Sequence, residues 1–514
     1  MSRKLRFILS LVLGLSLAAV TAFLSPGDFL PGWLGTSAIA VPGVYILLTA
    51  WKWAGGSRAL GWMMAVALLL RLGGGLAANL LLPVYGHPDS DVEKAGYLFL
   101  DAYRRDQEAW DISRDLRESI PGMFTRRLDT DQYGGILAVS AAVYRYLTPD
   151  ARRISLVILL GAVIYAVGTA FFFAGVRHRW GPRTALTAGW ILVLYPDAVF
   201  FSSSVMREPF LIGLLGIAMW GVLTWKQHRW LSSAAAVLSL AAMVQFSDLA
   251  AAGSFGLLAV LFWLDELAPR SKIWKYGGMA VILAGILIAG RWFGVWLNEV
   301  ARLDLTLTEA GSGRVQLALE EIGAQWRVPF LTVYGLAQPV LPAAIAAPST
   351  PLWKFVAVYR AVGWYLLAPL LVYAIYSSFR AQPRRDRWVL LVLSAAVLVW
   401  LLVSSLRAGG DQWDNPRYRT LLLPFMALLA GWGLVWAREK RDAWLVRWLL
   451  VEVIFVGYFT QWYVSRYFQI VKRLPFWEMV VRILVLSALV LASGWLWELW
   501  KRWRARTAGP RQPS

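Results

Sequence analysis

The chain has 514 residues, 58% of them hydrophobic, with a mean hydropathy of +0.54, 51 Lys plus Arg against 31 Asp plus Glu, and no cysteine. A soluble chain of this length would divide into several domains with separate cores, whereas here apolar runs of about 17–25 residues recur, the length that crosses ~30 Å of hydrocarbon. The lack of cysteine excludes disulfides, thiolate metal sites and cysteine nucleophiles. The net charge of +20 falls in short clusters between the apolar runs, the pattern of cytoplasmic loops and not of a nucleic-acid surface.

The opening "MSRKLRFILSLVLGLSLAAVTA" reads as an uncleaved signal anchor whose basic residues stay inside. Span 1 (about 7–25) then runs outward, span 2 (36–53) returns, and span 3 (59–84), with Arg71 deep within it, runs outward again. It delivers an acidic segment: residues 87–133 hold 11 of the 31 carboxylates. Asp89-Ser90-Asp91 comes first, and Ser90 with Glu93 forms an S-x-x-E capping box. Carboxylates at such a helix start are favoured by the macrodipole by up to ~1 kcal/mol. Beside His87, and with no cation before Lys94, they equally suit a general base or oxygen ligands for a divalent cation such as Mg or Mn. Ala109, Ile112, Leu116 and Ile120 share one helical face that Pro121-Gly122 ends, predicting a helix along the membrane surface. Residues 134–147 are too few to cross and read as re-entrant or interfacial.

Further spans are expected at 154–176, 184–203, 209–225, 230–246, 248–265, 278–297, 359–379, 388–406, 420–437, 445–463 and 477–499, which makes 14 with both termini inside. In the turn "YPDAVFFSSSVMREPF", Arg207 beside the helix start at Glu208-Pro209 is either an anion site or an interfacial snorkelling residue. Asp248, at the outer turn of 230–265, is either a site residue or part of a tight polar turn. The long external segment 298–358 holds an amphipathic stretch and the Pro-rich "QPVLPAAIAAPSTP", read as a roof over a site. In "DQWDNPRYR", Arg417 and Tyr418 place charge and an aromatic ring on the same face. Three histidines are too few and too scattered for zinc, and no P-loop, G-x-S-x-G or dinucleotide fingerprint is present.

Four islands together resemble the GT-C superfamily of polytopic glycosyltransferases, which includes the protein O-mannosyltransferases and aminoarabinose transferases: Asp89-Ser90-Asp91 with "AGYLFLDAY", then "YGGILAVSAAVYRYL", "YPDAVFFSSSVMREP" and "NPRYRTLLLPFMALLAGWGL". The resemblance implies extracytoplasmic transfer of a sugar from a polyprenyl-phosphate donor to a hydroxyl acceptor. It implies Asp89 and Asp91 as catalytic residues or metal ligands, Arg207 and Glu208 near the donor phosphate, and Arg417 and Tyr418 as further phosphate or sugar contacts. The family's cation before its second element is missing from "DTDQYGG", and Arg126 or Arg127 would supply it. His87, Arg71 and Asp248 complete the candidates. The implied organisation is an N-terminal pair of spans (1–58), a catalytic membrane module (59–297) with the first external loop (85–153), a second external loop (298–358) and a C-terminal membrane module (359–514), set in the cell membrane. The alternatives are a flippase for a lipid-linked sugar and an envelope polysaccharide ligase or polymerase.

Overall fold

The computed structural model describes residues 1–125, 133–288, 290–291, 323–408, 411–470 and 472–507. Among them the chain is all α, with no strand. Ten helices are long and apolar enough to cross a membrane, or eleven if one bent pair is a single span. The protein is a multi-pass membrane protein.

Helices α1 (Arg3–Phe23) and α2 (Phe29–Trp53) pack on each other, and α2 and α3 (Arg58–Tyr85) both lie against α7 (Ile154–Leu194). Of α7, 78% of the apolar window is buried, so it is the centre of the bundle. It consists of two rods. Gly181 has φ 83°, open to glycine without steric cost, and Pro182 follows it. The Tyr165 hydroxyl donates to the Leu192 carbonyl at 2.6 Å although 27 residues separate them. A straight helix would hold those groups ~40 Å apart. The chain therefore doubles back at Gly181, between the expected spans 154–176 and 184–203. Helix α9 (Glu208–Leu223) sits so close to the first rod that a Cβ on Gly168 would stand 2.2 Å from the Gly213 carbonyl oxygen. Small residues at such contacts hold helices together where lipid removes the hydrophobic drive.

The expected spans 154–176 and 184–203 are the two rods of α7, whereas α9, at the expected span 209–225, has 16 residues, about 24 Å of helix. Residues 278–297 extend beyond the described ones. The 420–437 span is broken into Asp414–Thr420 and Leu423–Lys440, bent by 73°.

Between α3 and α7 lies the first loop, with α4 (Asp91–Lys94), α5 (Leu100–Arg114) and α6 (Gly135–Tyr146). Helix α6 has 12 residues, about 18 Å, and packs on α5 without crossing. The predicted surface helix ends earlier than its apolar pattern implied, at Arg114. There the Asp115 carboxylate takes the Arg117 N–H at 2.9 Å, a local bond that competes with another helical turn, and Leu116 is 84% exposed. Arg145 of α6 then donates to the carbonyls of Ile112, Ser113, Asp115 and Glu118 at 2.6–3.2 Å, closing the open end of α5. Beneath it Asp106, fully buried, accepts from the hydroxyls of Tyr97 and Tyr144 and lies 3.4 Å from Arg152. Burial pushes its carboxyl up, against the pull of those three partners.

After α7 come α8 (Pro196–Ser202), α9, α10 (Arg229–Phe246), α11 (Asp248–Phe262) and α12 (272–288). The remaining helices are α13 (Arg327–Ala337), α14 (Leu341–Ala346), α15 (Pro351–Ser378), α16 (Arg384–Arg407), α17 (Asp414–Thr420), α18 (Leu423–Lys440), α19 (Trp444–Phe468) and α20 (Phe476–Thr507). The basic clusters meet at one end of the bundle, in ion pairs Arg179–Asp386 (2.7 Å), Arg385–Asp265 (3.0 Å), Lys226–Glu266 (3.1 Å), Arg183–Glu439 (3.0 Å) and Arg380–Asp442 (3.4 Å). Both terminal helices have their outer ends there, since Lys52 donates to Met1 O and Arg380 lies 3.7 Å from Glu498. The first loop, the 338–350 segment and the 411–414 turn occupy the other end.

Helices α13 and α14 form a hairpin. Helix α13 packs on α16, and α14 packs on α15 and α19. Between them the chain reaches Trp364 and Tyr365, about 20 Å along α15 from its start. The last carbonyls of a helix lack intrahelical partners. Four consecutive carbonyls are instead met by side chains: Gly335 by Asn415 Nδ2 (2.8 Å), Leu336 by Trp364 Nε1 (2.8 Å), Ala337 by the Tyr365 hydroxyl (3.2 Å) and Gln338 by Arg419 (2.9 Å).

Replacing Trp364→Phe keeps a ring under Arg419 but strands the Leu336 carbonyl. It is expected to lower stability by about 1–3 kcal/mol, read as a lower Tm of the purified protein in detergent; an unshifted melt would show that the carbonyl finds another donor.

Candidate active-site cleft

Ser90 caps α4 by accepting from the Glu93 N–H at 3.3 Å, one half of the expected capping box. The reciprocal half does not form. The Glu93 carboxylate instead accepts the His87 N–H (2.6 Å), lies 2.9 Å from His87 Nδ1 and accepts Trp353 Nε1 of α15 (2.9 Å). Burial raises its carboxyl, and the donors from Trp353 and His87 outweigh that and hold it below the usual carboxylate range. The first loop is thus latched to α15. Asp91 faces away, its side chain 92% exposed and 3.7 Å from Lys94, and Asp89 is exposed as well.

Next to the latch opens a cleft of about 690 Å³. One wall is the first loop, with His87, Glu93 and 98–101; the other is the hairpin, from Tyr334 through the Pro-rich stretch to Ser349. Trp353, Lys354 and Arg360 of α15, Phe201 of α8, and Asp411, Trp413, Asp414 and Arg417 also line it. The Pro-rich stretch expected to roof a site is one of its walls.

Buried charge lies behind the cleft. Arg360 is 1% exposed, donates to Asp197 at 2.6 Å and to the Gln412 carbonyl at 3.1 Å, and lies 4.5–5.3 Å from the rings of Phe200, Phe201 and Trp413. Asp197 also receives the Tyr195 hydroxyl (3.2 Å) and stands 3.9 Å from Arg419, which rests 3.5 Å above Trp364. Arg417 donates to Glu208 at 2.7 Å and lies 3.4 Å from Asp101 and 3.6 Å from Asp414. Lys354 Nζ donates to the Ala347 carbonyl at 2.7 Å, and among the described residues it has no carboxylate partner.

The expected site residues therefore divide. Arg417, Glu208 and His87 lie in or directly behind the cleft. Asp89 and Asp91 lie on the exposed turn beyond its lining. Arg207 and Tyr418 line a separate small cavity, and Asp248 is exposed at the start of α11, where its carboxylate takes the Leu249 N–H. Arg71 is fully buried midway along α3, donating to the Ala67 (3.0 Å) and Val193 (3.4 Å) carbonyls over the Tyr165 ring. Arg126 and Arg127 fall outside the described residues. Among the described residues no group of three His, Asp or Glu side chains comes together.

Sequence reasoning missed Asp101, Asp197, Lys354 and Arg360. An ionisable residue inside an apolar run is a functional candidate by default, and Arg360, second in the run 359–379, carries that signal. Asp101 carries none, being one carboxylate among eleven in its segment.

No family model and no curated sequence matches the chain. Among solved structures it is similar to the archaeal oligosaccharyltransferase AglB from Archaeoglobus fulgidus in complex with an inhibitory peptide and a dolichol-phosphate, at 13% identity and a TM-score of 0.34 over 84% of this chain and 54% of that one. The chain thus spans about half the length of that protein, and the superposition is too loose to carry a residue or a role across.

Because the Glu93 carboxyl is depressed on folding, its contribution is present above the unfolded value of ~4.3 and lost as pH falls through the folded one. Amide protection over 87–100, corrected for intrinsic exchange, is expected to hold at neutral pH and fall in that acidic window. In Glu93→Gln, which sets an amide NH₂ against donors, it is expected to be low at both. Equal protection in both proteins at neutral pH would show that the latch does not hold the loop.

Proposed function

We propose that the protein transfers a sugar from a polyprenyl-phosphate donor to a hydroxyl acceptor, on the extracytoplasmic face of the cell membrane, with the 690 Å³ cleft as its active site. The orientation follows from the basic end of the bundle facing the cytosol. The observation that carries the reading is the pairing, in one cleft, of an ammonium without a carboxylate partner, Lys354, and a 61% exposed carboxylate, Asp101. The resemblance of the four sequence islands to GT-C enzymes supports the same reaction class.

Arg360 and Arg417 already hold carboxylates, so Lys354 is the group free to take the phosphate's charge, with the buried Arg360 guanidinium beside it on α15. In the transfer, the acceptor oxygen bonds to the anomeric carbon as the bond from that carbon to the phosphate oxygen breaks. The acceptor proton passes to the base and the charge leaves with the polyprenyl phosphate. Direct displacement of this kind inverts the anomeric centre. A cation fixed where that charge develops is worth a few kcal/mol in a water-poor cleft. Of the cleft's carboxylates, Glu93 is occupied by three donors and Asp411 by the Trp413 and Asp414 N–H groups, and of the two beside Arg417 we assign the base to Asp101, the more exposed at 61% against 47% for Asp414; Asp89 and Asp91 lie outside the lining.

With polyprenyl-phosphate sugar supplied to membranes, Asp101→Asn is expected to lower transfer at least ~10²-fold, the scale of a lost general base, while Asp91→Asn retains most of it. The reverse order would move the base to the exposed turn, and full transfer by both variants would remove the carboxylate assignment. Lys354→Gln is expected to raise the donor KM roughly tenfold or more, the worth of one charge-assisted bond; an unchanged donor dependence would remove Lys354 from the phosphate site.

A further inference from the structure

We infer that the protein has a second phosphoryl-binding pocket, lined by Arg207, Arg407, Tyr418 and Ser404 and separate from the cleft. Its volume is about 40 Å³. One water needs ~10–15 Å³ of such space, so the pocket has room for about three waters or a single phosphate group.

Arg360 and Arg417 are tied to carboxylates, and Arg71 and Arg419 donate to carbonyls. Arg207 and Arg407 have neither a hydrogen bond nor an ion pair among the described residues. Each rests on an aromatic ring, Arg207 at 4.9 Å from Tyr133 and the exposed Arg407 at 4.5 Å from Tyr418, and Arg207 also acts electrostatically on the neighbouring Glu208 carboxylate. The Arg207 Nε is buried without a partner. So is the hydroxyl of Ser404, a residue 1% exposed that lines the same space. No described carboxylate lines the pocket. Leu249 and Ala250, in the first turn of the 15-residue α11, also line it, and their N–H groups are held by the Asp248 carboxylate and the Ser247 hydroxyl. Two guanidiniums without hydrogen-bond partners and an unpartnered hydroxyl around phosphate-sized space are complementary to a phosphoryl group, which offers acceptor oxygens and negative charge.

The pocket is distinct from the cleft because consecutive residues face different ways. Glu208 and Arg417 pair at 2.7 Å, with Arg417 lining the cleft, while their neighbours Arg207 and Tyr418 line the pocket. Leu421, Val403 and Trp400 supply an apolar side, which suits a phosphate carried on a lipid. A free phosphate satisfies the same polar groups. The inference concerns binding alone and does not depend on sugar transfer.

The test uses the full-length protein in two formats. In lipid nanodiscs of phosphatidylcholine doped with phosphatidic acid, native mass spectrometry reads retained phosphatidic acid; in detergent, inorganic phosphate is titrated by thermal shift. For wild type, retention of phosphatidic acid is expected, and Arg207→Gln and Arg407→Gln are each expected to weaken it roughly tenfold or more. Arg183→Gln, exposed at the basic end of the bundle, is expected to leave it unchanged. Saturation by inorganic phosphate, weakened by the same two variants, upholds the pocket and makes free phosphate its ligand. Should either arginine variant fail to fold, Ser404→Ala and Tyr418→Phe remove one hydroxyl each and are expected to weaken binding measurably. Equal losses in Arg183→Gln and Arg407→Gln would mean that surface charge alone retains the lipid and overturn the inference, as would binding that ignores all four pocket substitutions.

Discussion

The architecture at the loop end rests on one constraint: a backbone that leaves its helix must find hydrogen-bond donors for its last carbonyls. The α13–α14 hairpin meets it with four side chains from two helices, each bonded to one of the consecutive carbonyls of Gly335 to Gln338. Trp364 and Tyr365 come from α15, Asn415 and Arg419 from α17. Helix α17 is itself the short arm of a chain bent by 73°, so that break brings the donors to the hairpin. Without them the hairpin would lose its anchor, and the cleft would lose a wall. Arg419 contributes in a second way, because a cation at a helix C-terminus offsets the negative end of its dipole.

Buried charge makes the same point for the floor. Asp197 is fully buried, and an isolated carboxylate there would cost several kcal/mol in desolvation. Arg360 and the Tyr195 hydroxyl bond it, and Arg419 stands nearby. These groups come from α8, α15 and α17 and the residue before α8, so satisfying one carboxylate fixes the relative placement of three helices that are far apart in sequence. Removing one partner of such a pair is destabilising by about 3–5 kcal/mol, more than most contacts in the protein. The Glu93 latch is weaker and closer to solvent, and it acts on a loop and not on the bundle.

How much of this the sequence reveals follows from the range of the forces involved. Apolar run length and basic clusters are local signals, and they placed most spans and brought both terminal helices to the same end of the bundle. Ser90 was legible as a cap because its acceptor role spans three residues. The partner of Glu93 was not, since Trp353 is 260 residues away. The same holds for Asp101, whose place is set by Arg417, 316 residues on. The surface helix was predicted too long because its apolar period continues through Leu116 while Asp115 satisfies the backbone locally. The hairpin is hardest to read. Its composition is apolar and Pro-rich, and the donors that meet its carbonyls lie in other segments.

One ion pair divides the polar interior near the loop end. On a helix each residue turns about 100° from the last, so Glu208 and Arg417, by facing each other, direct Arg207 and Tyr418 away from the cleft. The pair is buried on both sides, at 1% and 10% exposure, and it neutralises the cation nearest the boundary. Negative charge entering from the cleft therefore meets Lys354 first, and negative charge entering the other cavity meets Arg207 and Arg407. The Glu208–Arg417 pair thus stands between the two spaces, with Arg417 in the lining of the cleft and Arg207 in that of the smaller cavity.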